Sequence, residues 1–126
     1  MKVEIRKKST GETAILISFD TNSEAFESPS ERNKFFTELH GRRQIIKREQ
    51  RKYVYRRNGL LDEIPNLRVD NSVFIIMREH MRRMEQFFNE WEDKVNFRTF
   101  PVLLNEKEAK ELKRKNKLEL VDEIRG

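Results

Sequence analysis

The sequence predicts an α+β fold, a small antiparallel sheet of four to five strands with helices packed on one face. Two kinds of segment point to it. Strand-like stretches at 2–8, 13–19, 44–57 and 95–104 are β-branched or alternate in polarity, and helical stripes with recognisable start signals lie between them. At 126 residues the chain fits one domain, 1–126, able to bury a modest core. The predicted order is β-β-α-β-β-α-β-α.

Val3 and Ile5 share one face of a first strand. Ser9-Thr10-Gly11 reads as a turn, and Thr13–Phe19 as a more buried strand that closes a hairpin with the first. Ser28-Pro29-Ser30-Glu31 is a helix start: Ser28 caps, Pro29 tolerates the first turn and Glu31 completes a capping box. Phe35, Phe36 and Leu39 supply the stripe of a helix over 29–40, and Gly41 suits a left-handed stop.

Gln44–Glu49 and Lys52–Arg57 read as two strands with a tight turn near Gln50-Arg51, followed by an Asn58-Gly59 turn. Leu60–Arg68 is interrupted by Pro65 and reads as irregular. From a cap at Asp70, Asn71 or Ser72, the positions Val73, Ile76, Met77, His80, Met84, Phe87, Phe88 and Trp91 follow helical spacing to about residue 93. Val73-Phe74-Ile75-Ile76 is equally strand-like. Val95–Leu104 has strand composition, with Pro101 demanding an edge, a bulge or a strand end. Asn105 caps a short polar helix near Glu106–Lys115 that buries Ala109 and Leu112, and 117–126 reads as a flexible tail.

Charge is distributed unevenly. Charged residues make up 39 % of the chain, against roughly 25 % in an average soluble protein. Residues 42–57, RRQIIKREQRKYVYRR, hold eight Lys or Arg beside one acid, Glu49, so this segment carries +7 while the rest of the chain sums to −2. A concentrated stripe of one sign attracts a polyanion. Excess Lys, Arg and Glu also fits a thermophilic source. Cysteine is absent, which excludes disulfides and thiolate metal sites and makes a cytoplasmic setting the default expectation. No apolar run approaches 18 residues, so no membrane partner is expected.

Residues two apart in a strand share a face about 6.6 Å apart. Tyr53 and Tyr55 therefore point the same way, flanked by Arg51 and Arg57, with Lys52, Val54 and Arg56 opposite. Phenol rings stack on unpaired bases of any identity while guanidinium groups hold phosphates. The free face of an antiparallel sheet can carry such a platform. Single-stranded nucleic acid is the expected partner. A duplex reader would insert a helix or ribbon, and the long helix uses its strongest face for core residues.

Plainer readings compete. Both tyrosines could pack on helix 29–40, and the basic run could be a solvated face. His40 and His80 are isolated, with no companion at metal-ligand spacing, so neither metal nor cofactor is expected. Asp62, Glu63, Asp70 and Glu79 would be the carboxylates of a metal-dependent nuclease, yet no recognisable nuclease or triad constellation appears. A subunit that docks an acidic protein is the remaining alternative.

The run RKYVYRRNGLLDEIPNLRVDNSVFIIMREHMRRMEQFFNEWEDKVNFR resembles the ThermoDBP family, single-stranded DNA-binding proteins of hyperthermophilic archaea and their relatives. The resemblance covers roughly 35–104 and lies in overall pattern, without a short signature. It implies an antiparallel sheet unlike an OB-fold and a cleft with one basic and one aromatic or aliphatic wall. Carried onto this chain, the basic wall is Arg42, Arg43, Lys47, Arg48, Arg51, Lys52, Arg56 and Arg57, and the stacking residues are Tyr53 and Tyr55, with Phe97 a weaker choice. A leucine-zipper extension is not visible after Leu112, which favours a homodimer over a zipper tetramer.

Overall fold

The computed structural model describes residues 9–125, and side-chain surroundings for 13–115. The proposed first strand at 2–8 lies outside the described residues. In chain order the elements are β1 (Ser9–Thr21), α1 (Pro29–His40), β2 (Arg42–Arg48), β3 (Arg51–Arg57), α2 (Leu60–Glu63), β4 (Asn66–Asp70), β5 (Val73–Ile76), α3 (Met81–Glu90), β6 (Val95–Asn105) and α4 (Glu106–Arg125), with short 3₁₀ turns at Ser23–Ala25 and Arg78–His80. The class is α+β, as the sequence predicts. One antiparallel sheet has the order β4-β5-β1-β6, and β2 and β3 form a separate two-stranded sheet.

Alternation along β1 builds a core on each side of the main sheet. Ile15, Ile17 and Phe19 face α1 and α3, where they meet Phe35, Leu39, Met84, Phe88 and Trp91. Ala14 and Leu16 face the opposite way and pack with Leu104, Ala109 and Leu112. Helices α1 to α3 thus share one face, and α4 adds a layer on the second. Half of the buried residues of the larger core are aromatic, and the Phe35 ring lies 5.6 Å from Phe19, 5.0 Å from Phe36, 5.6 Å from Phe87 and 5.4 Å from Trp91, centroid to centroid.

Local signals explain α1. Ser28 Oγ accepts from the Glu31 N–H at 3.1 Å. The Glu31 carboxylate reaches one residue further back than a capping box requires, accepting from the Glu27 N–H at 2.9 Å, and also pairs with Lys94 at 2.8 Å. Gly41 ends the helix at φ 84°. Pro101 sits on β6, an edge strand, where a missing N–H leaves the sheet intact.

Several expectations give way to tertiary context. Ser9-Thr10-Gly11 is no turn: β1 runs through it, with an irregularity between Ser9 and Thr13, and over Ile15–Ser18 both edges of β1 are occupied, by β5 and β6. The long helix expected from 70–72 to 93 is a strand and then a shorter helix. Phe74, Ile75 and Ile76 are 1 %, 8 % and 0 % exposed in succession, a two-sided burial that suits a strand between two neighbours better than one face of a helix. Asn71 and Ser72, expected as caps, instead link β4 to β5, and the Asp70 carboxylate accepts from the Asn71 N–H at 2.7 Å. Leu60–Arg68, expected to be irregular, holds α2 and the start of β4, with Pro65 just ahead of the strand. The last helix runs from Glu106 to Arg125, past the expected stop near Lys115; Asn105 caps it, accepting from the Glu108 N–H at 2.8 Å, and Ala109 and Leu112 are buried.

Removing the Phe35 ring leaves a cavity where several aromatic rings converge. Phe35→Ala is expected to cost about 3–5 kcal/mol, read as a lower urea midpoint with the slope unchanged.

Candidate nucleic-acid interface

The eight basic residues of 42–57 occupy β2 and β3, which pair in the register Arg42↔Arg57, Arg43↔Arg56, Gln44↔Tyr55, Ile45↔Val54, Ile46↔Tyr53, Lys47↔Lys52 and Arg48↔Arg51. The turn is Glu49-Gln50, one residue earlier than expected, with Glu49 at φ 57°. No residue of the hairpin belongs to either core cluster, and every hairpin side chain except Ile46 is exposed. The ribbon therefore stands off the body. The expectation that it lies on the free face of the main sheet is corrected: it is a separate sheet, and α4 packs on that free face.

Register assigns the faces. Arg42, Gln44, Ile46, Arg48, Arg51, Tyr53, Tyr55 and Arg57 share one face; Arg43, Ile45, Lys47, Lys52, Val54 and Arg56 share the other. Tyr53 and Tyr55 are 39 % and 53 % exposed and belong to neither core cluster. Their rings lie 6.5 Å apart with planes 24° from parallel. Four cation pairs, Arg42–Arg57, Arg43–Arg56, Lys47–Lys52 and Arg48–Arg51, stand directly across the ribbon, an arrangement that destabilises a hairpin on its own.

The base of the ribbon offsets this repulsion. Arg56 Nη2 donates to both Asp62 oxygens at 2.8 and 2.6 Å and to the His40 carbonyl at 3.0 Å, while Asp62 Oδ2 also accepts from the Gly59 N–H at 2.8 Å. Gly41 and Gly59 pass each other in backbone contact. A Cβ on Gly59 would fall 2.6 Å from the His40 carbonyl carbon, and one on Gly41 2.6 Å from Asp62 Oδ2. Beside them, the His40 ring lies parallel to Phe36 at 6.2 Å, and Arg68 Nη2 contacts His40 Nδ1. Burial, and then the Arg68 charge, hold the His40 pKa below its ordinary value, against opposing contributions from Asn71 and Asp62.

On its tyrosine side the ribbon meets α1. Ser30, Asn33, Lys34, Thr37 and Glu38 of α1, with Arg42 and Arg57 of the ribbon, line a groove of about 360 Å³. These α1 residues were not anticipated from sequence, although their spacing, opposite the Phe35 and Leu39 stripe, marks one polar helix face. Among the predicted cations, Arg42, Arg43, Lys47, Arg48, Arg51, Lys52 and Arg57 have no ion-pair partner among the described residues, whereas Arg56 is held by Asp62. Phe97 is partly buried against the main core, its ring stacked on Phe88 at 4.8 Å, and is not part of the ribbon's aromatic pair.

The proposed nuclease carboxylates have separate partners. Asp62 holds Arg56, Glu63 pairs with Arg83 at 3.3 Å, Asp70 caps its own turn, and Glu79 lies 4.0 Å from His80. Among the described residues no group of three or more His, Cys, Asp or Glu is placed to hold a metal, and no helix is long and apolar enough to cross a membrane. Comparison with family models, curated proteins and solved structures finds no match to this chain.

Asp62→Ala is expected to speed hydrogen exchange of the β2 and β3 amides about fivefold, equivalent to about 1 kcal/mol, with β1 and β5 amides unchanged. For His40, whose folded pKa is depressed, stability is full above the unfolded value of about 6.5 and declines as pH falls toward the folded value. His40→Gln is expected to flatten that decline in urea titrations across this range.

Proposed function

We propose that this protein binds single-stranded nucleic acid without sequence preference, and without catalysis, on the tyrosine face of the ribbon. The observation that carries the reading is a pair of exposed phenol rings, side by side on one strand, framed by Arg42, Arg48, Arg51 and Arg57 on the same face. The rings stand about twice the 3.4 Å repeat of a stacked strand apart, so each can take a base from a strand drawn out along the ribbon. Stacking tolerates any base, and the arginines supply phosphate contacts.

The groove against α1 continues the path. Lys34 adds a cation, and Asn33, Ser30 and Thr37 offer hydrogen-bonding groups to a sugar-phosphate backbone that leaves the ribbon between Arg42 and Arg57. An acidic protein partner would satisfy the arginines but has no use for two adjacent flat rings. The resemblance to the ThermoDBP family supports the same reading, with DNA favoured over RNA, and carries with it an archaeal, thermophilic origin.

Fluorescence anisotropy with a labelled single strand, the matching duplex and polyglutamate tests the proposal. Tyr53→Ala and Tyr55→Ala are each expected to weaken single-strand binding by about 1–3 kcal/mol. Log affinity should fall with log salt at about −0.7 per phosphate contacted, a slope of about −3.5 for four arginines and Lys34, and Lys34→Ala should make it shallower by about 0.7. Equal affinity for duplex or polyglutamate, or indifference to both tyrosine substitutions, overturns the reading.

A further inference from the structure

The ribbon has a second cationic face that the tyrosine site leaves unused. Arg43, Lys47 and Lys52 point away from the rings, are exposed, and have no acidic partner among the described residues. Between them the Ile45–Val54 pair is 50 % and 51 % exposed, so the body of the protein does not cover this face. Two of the opposed cation pairs, Arg43–Arg56 and Lys47–Lys52, belong to it, and only Arg56 is neutralised, by Asp62. Such pairs work against folding unless an anion lies across them.

The chemistry of this face differs from that of the first. It has no aromatic ring to serve as a stacking platform. Lysine ammonium groups act as point charges for phosphate oxygens, and a small aliphatic patch between them can lie against sugars. Its complement is a phosphate backbone with the bases turned outward.

We propose that the ribbon is two-sided: one strand stacks on Tyr53 and Tyr55 while Arg43, Lys47 and Lys52 hold a second single-stranded segment by its phosphates, so that the protein bridges two strands. This rests on the single-strand reading of the tyrosine face. Repulsion between the two strands is reduced because the ribbon's own cations lie between them, within about a Debye length, about 8 Å, of each backbone.

The test uses the full chain and two non-complementary oligonucleotides, one carrying a donor dye and the other an acceptor, with energy transfer reporting the bridged complex. Lys47→Glu with Lys52→Glu is the principal variant, in which like charge still faces like charge; Lys47→Gln with Lys52→Gln is the neutral check. Circular dichroism confirms folding of both. Expected is transfer with the unaltered protein and a loss of about tenfold or more in bridging for the Glu pair, while the Gln pair, which removes charge without reversing it, lowers bridging well beyond its effect on affinity for one strand. Bridging that survives both variants shows that separate copies of the protein join the strands and overturns the proposal. So does single-strand affinity that falls as far as bridging, because both faces would then serve one strand. Tyr53→Ala with Tyr55→Ala separates the two readings: unchanged single-strand affinity in that variant removes the stacking site, while a bridging defect confined to the lysine variants still identifies the second face.

Discussion

Everything attributed to the ribbon depends on the contact at its base between Gly41 and Gly59. The outgoing and returning chains pass there with no room for a Cβ on either side, and Asp62 sits against the crossing, tying Arg56 to the Gly59 N–H. A hairpin with four opposed cation pairs has little reason to stay closed by itself, since isolated two-stranded hairpins are marginal even with favourable pairs. The clasp confines both ends of the ribbon, and the Ile45–Val54 and Ile46–Tyr53 pairs then need only zip the middle.

Helix α1 connects this clasp to the stable part of the molecule. Its inner stripe places Phe35 and Leu39 in the aromatic core, its outer stripe lines the groove, and its last carbonyl takes a hydrogen bond from Arg56. A cation at a helix C-terminus is favourable in its own right. One short helix thereby sets the position of the ribbon relative to the groove. The division of labour is clear: the four-stranded sheet and its aromatic core hold the fold, which frees the ribbon to carry charge that no core residue neutralises.

The local signals in the sequence were legible where one chemical group decides the outcome. Ser28 caps α1, Gly41 stops it, Asn105 caps α4 and Pro101 lies on an edge strand, each because the group acts within a few residues of itself. Misreadings fall where a segment satisfies two periodicities. Val73, Ile76, Met77 and His80 match a helical stripe, but Phe74 and Ile75 between them are also buried, and only the presence of β4 and β1 on either side of β5 shows that both faces are covered. Ser9-Thr10-Gly11 has turn composition and still lies in a strand, because β6 pairs on either side of it, at Ser9↔Asn105 and Thr13↔Leu103, with an irregularity between.

For the site, sequence determined the clustering of cations and, through the two-residue period of a strand, that Tyr53 and Tyr55 share a face with Arg51 and Arg57. Those are covalent facts once a strand is granted. Tertiary structure decided that the ribbon separates from the main sheet, that both rings stay outside the cores, that Arg56 is held by Asp62, that Phe97 packs against the main core, and that α1 supplies a wall of the groove. Each of these depends on which distant segments meet, and a hydrophobic pattern constrains such meetings only for residues that are buried. The ribbon contributes nothing to either core, so no burial pattern in its own sequence could have placed it.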